Sequence, residues 1–579
     1  MIKDRVKVYK RFVGYLAPYR REWLVILALS VAGGFLSLGA PFLTRWVVDV
    51  SLLKKDFKSF LIYAFIGGGL YVLGEILNWS RYWLERTIRL RVNFDLNRKI
   101  FQHLQSLSYS WFQRTSAGEH IFTVNYDIET VTEFITSSLP QLLSVVPRSV
   151  CIIAIVFYFN WKMALCALLL APFLFLPGYL YSRIMEKLSQ QIVGSSEKVL
   201  VCLQEIFSHM QLIKVWGAEK KSARGFLHAL IANIRVSVRY LKPEIASGVT
   251  AQIFAKCIMG LIGLFGGYLA IKGDMTLGTL AAIMVYLTQL IGLQSQIASF
   301  WQANLAGIIS CKRVADILDT APLIKDGPDA RSLDIGKGDI RFKGIGFGYV
   351  PGEFVVKNLS FSIRPGEHVA LAGPSGKGKT TLLSLMVRLY DLWEGDITFD
   401  GCSIRSLSIR CLKDQIGVAM QEHFLWDDTI HNNITYRVPW ATVKEVEDIG
   451  RVAGLDDLAR ALPLGYQTMI GENACRISEG QKQKIAIARA LFKKPRILIL
   501  DEAMSAMDSQ SEEMVLKNIR ERYKSMTVII VSHRFSTLKG CDRALYLAGK
   551  DTLIEGNMGE LLRGDPGFRR LFAGQLEKE

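Results

Sequence analysis

Residues 372–382 read AGPSGKGKTTL, and this stretch decides the fold of the C-terminal half. Gly373, Pro374, Ser375, Gly376, Lys377, Gly378, Lys379 and Thr380 give the spacing Gly-x-x-x-x-Gly-Lys-Thr of a phosphate-binding loop. The apolar run Val369–Ala372 before it predicts a strand, and Thr381–Tyr390 after it predicts an apolar-periodic helix. Glycines let successive backbone N–H groups wrap a phosphate, and the helix N-terminus adds its dipole. Lys379 would then pair with the β- and γ-phosphates of ATP, and Thr380 would supply an oxygen to Mg2+.

Downstream, Arg496–Glu502 reads RILILDE, four apolar residues ending in two acids. Such a run predicts a buried parallel strand whose end delivers carboxylates to the phosphate site. Asp501 fits a magnesium-holding role through water, and Glu502 fits the general base for an attacking water. A second apolar strand, Thr527–Val531, ends in Ser532-His533, which places an imidazole within reach of a γ-phosphate.

Upstream, residues 24–310 carry long uncharged apolar runs, whereas 330–579 have the composition of a soluble domain. Six spans are predicted at 24–50, 59–80, 132–159, 163–183, 245–271 and 275–303. A run of about 20 residues crosses the hydrocarbon as helix. The connections 51–58, 160–162 and 272–274 can only be tight turns, while 81–131 and 184–244 are long and charged. Segment 59–108 lacks proline, and as one helix it would be about 75 Å long. The stretches 106–120 and 208–220 read as short turning elements at the tips of such helices. Charged residues within the spans include Glu75, Arg148 and Lys256, with Arg45 and Asp49 near the outer end of the first. Charges at that depth usually face a bundle interior or a watery cavity. Arg148 and Lys256 could meet an anionic substrate, pair with Glu75, or snorkel to the surface.

The formal net charge is +17. Lys3, Arg5, Lys7, Lys10, Arg11, Arg20 and Arg21 crowd the N-terminus, and Arg86, Arg89, Arg91, Arg98 and Lys99 lie between apolar runs. That pattern is the positive-inside distribution of a membrane protein and places the long segments in the cytoplasm. No nucleic-acid motif accompanies it, so nucleic acid is not expected as a partner. Nine cysteines without a Cys-x-x-Cys pair suggest neither a disulfide framework nor a zinc site. The first apolar run is too long for a signal-peptide core and is expected to be retained.

Ile477-Ser478-Glu479-Gly480-Gln481 precedes KQKIAIARAL, Gln421 stands in VAMQEHFLWDDTI, Tyr349 in FGYVPG, and Ser505-Ala506-Met507-Asp508 follows RILILDE. Together with the phosphate loop and Glu502, these motifs resemble the ABC transporters. Six spans plus an ATPase resemble the exporter half-transporters of the lipid A, multidrug and peptide type over the whole chain. The resemblance implies a multidomain fold. An all-α six-helix transmembrane domain (1–320) and a linker (321–338) precede an α/β P-loop ATPase (339–579) with an antiparallel β subdomain and a helical subdomain. It makes Tyr349 the adenine-stacking aromatic, Gln421 a Mg2+ contact beside Thr380 and Asp501, and Thr381 part of the ATP set. Ser478, Glu479, Gly480 and Gln481 become the signature facing a partner's ATP, Asp508 the D-loop acid, and 106–120 and 208–220 coupling helices. It further implies ATP, Mg2+, a second half-transporter, and a multi-pass protein of the bacterial inner membrane with its ATPase in the cytoplasm.

Two positions depart from the family pattern. Lys377 stands where serine is common, at an unconstrained position of the loop. Glu479 replaces a signature glycine, and a carboxylate about 6 Å from a phosphate would be repelled by roughly 2–3 kcal/mol. Either Glu479 points away in a homodimer, the favoured reading, or the chain is one half of a heterodimer with an asymmetric ATP site. The expected cargo is an amphipathic molecule (lipid, lipid-linked glycan or hydrophobic drug), with a peptide as the alternative. An ATP-gated channel and a soluble chromosome ATPase are the rivals from other classes. The intact Glu502 argues against the first and the six spans against the second.

Overall fold

In the computed structural model the apolar runs become helices far longer than a bilayer requires. The structure describes residues 11–576 apart from 329, 333–335, 437, 439 and 472–476. Lys3, Arg5, Lys7, Lys10 and part of segment 321–338 therefore lie outside the described residues. The chain divides into two units, one of Met1–Leu107 with Trp111–Ala321, the other of Ser108–Ser110 with Pro322–Glu579.

Among the described residues of the first unit, six helices are long and apolar enough to cross a membrane. They are α1 (Arg11–Leu52), α2 (Phe57–Ser106), α4 (Gly118–Phe159), α5 (Trp161–Ser208), α7 (Glu219–Ile271) and α8 (Leu277–Asp319). Two six-residue helices, α3 (Tyr109–Arg114) and α6 (Met210–Val215), turn the chain after α2 and α5. Proline-free α2 runs 50 residues without a break. In α4, π-helical turns at Thr123–Asp127 and Phe134–Ser138 interrupt the α pattern, and the helix starts at Gly118, ahead of the apolar run expected from 132.

Polar side chains close both ends of this bundle. At the end with the short turns, Asp49 accepts from the Thr276 hydroxyl at 2.6 Å and from the Gly278 N–H at 2.8 Å. It thereby satisfies a free N–H in the first turn of α8 and sits on the positive end of that helix's dipole. Lys162 pairs with Asp274 at 2.8 Å, joining two of the turns. At the other end, buried Asp127 accepts from Ser310 at 2.7 Å, and Arg313 bridges Asp127 (3.8 Å) and Glu197 (3.0 Å), tying α4, α5 and α8 together. Asp49→Ala is expected to cost about 1–2 kcal/mol, visible as a lower melting temperature in detergent. An unchanged melt would mean water replaces the carboxylate fully.

The intramembrane charges are dispersed. Arg148 is half-buried beside α1, its Cδ 3.5 Å from where a Cβ on Gly34 would lie, while Glu75 and Lys256 are exposed on the single chain. No ion pair joins Arg148 to Glu75 among the described residues. An apolar cavity of about 270 Å³ opens between α4, α5, α7 and α8, lined by residues such as Ile153, Ala167, Leu174, Ile262 and Leu290. Its polar groups are Ser149 and Gln294. The Gln294 amide already donates to the Leu174 carbonyl at 2.6 Å, near Pro177 of α5.

The second unit holds two sheets. Strands β1 (Ile340–Phe347), β2 (Val356–Ile363), β4 (Glu394–Phe399) and β5 (Cys402–Ser403) form an antiparallel sheet in the order β2-β1-β4-β5. Strands β3 (His368–Ala372), β6 (Ile416–Ala419), β7 (Ile497–Asp501), β8 (Thr527–Val531), β9 (Arg543–Leu547) and β10 (Leu553–Gly556) give the order β10-β9-β3-β8-β7-β6. β3, β6, β7, β8 and β9 pair in parallel, and β10 closes one edge antiparallel. Every residue of β3, β7 and β8 is buried, as continuous apolar runs require of a sheet covered on both faces. Helices α9 (Lys379–Met386), α10 (Ile430–Thr435), α11 (Val443–Val452), α12 (Glu479–Phe492) and α13 (Ser509–Arg522) complete the parts that matter for the site.

Candidate active site

The loop between β3 and α9 needs its glycines for steric reasons. Gly373 has φ +157, and a Cβ there would lie 2.7 Å from the Leu547 carbonyl. Gly378 has φ +99 at the start of α9, with Val356 Cγ1 at 2.9 Å from any Cβ. Such backbone is open to glycine and strained for other residues. Lys379 is only 7% exposed and folds back on its own loop. Its Nζ donates to the carbonyls of Gly373 (2.7 Å) and Pro374 (3.1 Å). Burial lowers its pKa, opposed by the nearby carboxylates of Glu502 and Asp501.

Asp501 and Glu502 arrive at the C-terminal end of β7. The Asp501 carboxyl is buried, which raises its pKa, as does the Glu502 charge; the Thr380 hydroxyl bonds to it and works the other way. Glu502 lies in the left-handed region at φ +52. Its N–H is fixed to the Val531 carbonyl at 3.0 Å. Two groups distant in sequence meet its carboxylate. Gln421 Nε2 donates to Oε2 at 2.8 Å, and His533 Nε2 lies 2.9 Å from Oε1. Tyr349 stands edge-on to Phe347 and Tyr390, each ring centroid 5.3 Å away, and its hydroxyl is 3.0 Å from the Thr381 hydroxyl. The structure thus gathers Tyr349, the loop 373–381, Gln421, Asp501, Glu502 and His533 at one end of the parallel sheet. Ser375, Gly376 and Thr380 are exposed there, and Pro374 and Lys377 half-buried.

Ser478–Gln481 make no hydrogen bond or ion pair with Gly373–Thr381 among the described residues. Ser478 caps α12: its Oγ accepts from Gln481 N–H and Gln481 Oε1 accepts from Ser478 N–H, a capping box. Glu479 is 58% exposed and pairs with Lys482 at 3.2 Å. Asp508 caps α13 through Ser511 N–H at 2.8 Å. Two side chains absent from the motif reading, Gln483 and Arg534, also bond the loop after Glu502. Arg534 adjoins His533 and Gln483 sits within KQKIAIARAL, but only three-dimensional proximity reveals that they share a target.

Two sequence families meet in this chain. Residues 23–294 match the family model of the ABC transporter transmembrane region and residues 356–505 match that of the ABC transporter. The chain belongs to the ABC transporters. This ABC transporter is 29% identical over 569 residues to the ATP-dependent lipid A-core flippase of Desulfotalea psychrophila, covering 98% of this chain and 99% of that protein. It is 28% identical over 574 residues to the uncharacterized ABC transporter ATP-binding protein YwjA of Bacillus subtilis, with 98% and 99% covered. A solved bacterial Atm1-family ABC exporter with ATP bound superposes with a TM-score of 0.88 at 25% identity, over 96% of this chain and 98% of that one. It is therefore an exporter-type half-transporter: an integral, multi-pass membrane protein whose nucleotide-binding domain drives transport with ATP.

Proposed function

We propose that two copies of this half-transporter form an exporter that moves an amphipathic molecule (lipid, lipid-linked glycan or hydrophobic drug) across or between membrane leaflets. The observation that carries the hydrolytic part is the Glu502 carboxylate held between Gln421 and His533 beside the Lys379 loop. In this reading residues 1–320 carry the substrate, 321–338 link, and 339–579 hydrolyse ATP. The membrane is a bacterial inner membrane with the ATPase in the cytoplasm.

Each ATP is sandwiched between one chain's Gly373–Thr381 and the partner's Ser478–Gln481, with Tyr349 stacking on adenine. Lys379 must leave the carbonyls of Gly373 and Pro374 to reach the β- and γ-phosphates. Glu502 takes the proton of the attacking water, and His533 contacts the γ-phosphate. Mg2+ suits the donors at this end of the sheet, because the Thr380 hydroxyl, the Asp501 carboxyl bonded to it and the Gln421 carboxamide are all hard oxygen groups. Bound there, it supplies neutralisation of phosphate charge. Closure on two ATP molecules favours an outward-open state and hydrolysis resets it, a population shift driven by differential affinity.

The apolar cavity between α4, α5, α7 and α8 supports a cargo with a hydrophobic body. Arg148 and Lys256 lie outside its lining, so a role for them in an anionic head group is a separate contact. Transport in proteoliposomes containing this chain alone, against lipids, lipid-linked glycans, drugs and peptides, tests the proposal. Mg-ATP-dependent movement of an amphipathic compound is expected. Movement of peptides only would establish the alternative cargo.

Glu479 supports a second reading, in which the chain is half of a heterodimer. Its exposure and pairing with Lys482 favour the homodimer. Glu479→Gly is accordingly expected to change ATPase turnover of the chain alone by less than about threefold, the scale of an exposed ion pair. A rise above about tenfold would favour the asymmetric site.

A further inference from the structure

The loop 503–508 joins Glu502 to α13 and is fastened by side chains from two other elements. From α12, Gln483, only 2% exposed, accepts from the Ala506 N–H at 3.0 Å and donates to the Ser505 hydroxyl at 3.1 Å. From the segment after β8, Arg534 donates through Nη2 to the Ser505 carbonyl and through Nη1 to the Met507 carbonyl, each at 2.8 Å. The same Nη1 reaches Glu512 Oε2 at 2.8 Å. Glu512 is a 3% exposed carboxylate that also accepts from the Thr537 hydroxyl. The planar guanidinium can serve two carbonyls and a carboxylate at once, which a lysine ammonium on a flexible stem does poorly. Gly480, inside the signature, lets the first turn of α12 approach this loop; a Cβ there would lie 3.0 Å from the Ala506 carbonyl.

We propose that Gln483 and Arg534 are positioning residues for ATP hydrolysis, clamping the loop 503–508 so that Glu502 keeps its left-handed backbone and its carboxylate between Gln421 and His533. This rests on the reading of Glu502 as the hydrolytic base. The clamp spans from the start of α12, which faces the partner's nucleotide in that reading, to the residue next to His533. A displacement of α12 is therefore transmitted to the base of the chain's own site. Neither side chain belongs to the ATP set of that reading, and both bond only protein groups here, so releasing the loop misplaces the base without removing an assigned nucleotide contact. A base misplaced by about 1 Å can cost up to about 100-fold in rate.

The test uses the full chain in lipid nanodiscs and measures kcat and KM for Mg-ATP, with melting temperature with and without ATP. Gln483→Ala and Arg534→Ala are each expected to lower kcat by about tenfold or more while KM stays within about twofold. Arg534→Lys should fall between wild type and Arg534→Ala. The double variant should lose less than the product of the single losses, since both act on one loop. A raised KM with unchanged kcat, or losses that multiply, would overturn the clamp. Should Arg534→Ala fail to fold, Glu512→Gln keeps the shape while neutralising the counterion, and unchanged kcat in that variant would equally overturn it. Glu502→Gln runs alongside. If it hydrolyses ATP like wild type, the base assignment fails and the clamp with it. If it is inactive while the Gln483 and Arg534 variants turn over normally, only the clamp fails.

Discussion

Replacing Glu502 by glutamine is expected to lower ATP turnover by at least about 100-fold, the lower range of what a positioned general base contributes. The substitution is nearly isosteric. A glutamine can still accept from Gln421 Nε2, so the packing at the end of β7 is preserved. What disappears is the negative charge beside His533 and the capacity to take a proton from water. Affinity for ATP should stay within about threefold, because in the proposed reading Glu502 acts on the attacking water and the nucleotide is held by other residues, chiefly the 373–381 loop. ATP should then accumulate unhydrolysed and hold the two chains closed, a species visible by size-exclusion chromatography or cross-linking. Phosphate release measured with nucleotide binding decides the matter, and turnover within a few-fold of wild type would remove Glu502 from the role of base.

Lys379→Met should instead weaken ATP binding by about 100-fold. The ammonium is the one charged group of the loop that is buried at the site, held at 2.7 Å from the Gly373 carbonyl and ready to exchange that neutral acceptor for phosphate. A charge-assisted bond of about 3 kcal/mol corresponds to about 100-fold in affinity. Methionine keeps the aliphatic stem, so the nucleotide-free protein should melt within a few degrees of wild type, while about 100-fold more ATP is needed for the same stabilisation. A pH dependence accompanies this. Burial lowers the Lys379 pKa in the nucleotide-free protein, and the protonated form is the one that binds phosphate. ATP affinity should therefore weaken as pH rises through a value below the ordinary lysine range, and Lys379→Met should flatten that limb of the profile. Titrations of a fluorescent ATP analogue across pH test both statements.

The parts of the site written in consecutive residues were legible from sequence: the loop 373–380, the acids ending β7 and the histidine ending β8. There the local pattern alone fixes strand, turn and helix. The convergence on Glu502 was legible only in outline. Gln421 and His533 reach it from 81 and 31 residues away in the chain, and their separations of 2.8 and 2.9 Å depend on sheet order, which no local window encodes. The inward fold of Lys379 and the clamp by Gln483 and Arg534 are long-range in the same sense. Among the membrane helices, length and polarity marked the spans. Azimuth was hidden, because a helix apolar on all sides carries no periodic signal of its buried face. That is why an ion pair between Arg148 and Glu75 was open to the sequence and is absent among the described residues. The π-helical turns of α4 add to the difficulty, since each extra residue rotates everything beyond it.

The unbroken course of α2 has a mechanical corollary. A rod of 50 residues is about 75 Å long, and pivoting it by about 10° at one end sweeps the other through about 13 Å. If the rod pivots as a rigid body, small repacking among apolar side chains near Phe57 is geared up into a stroke as wide as a helix at Ser106. A proline placed midway would act as a slipping clutch, leaving the helix in place while the stroke dies out along its length.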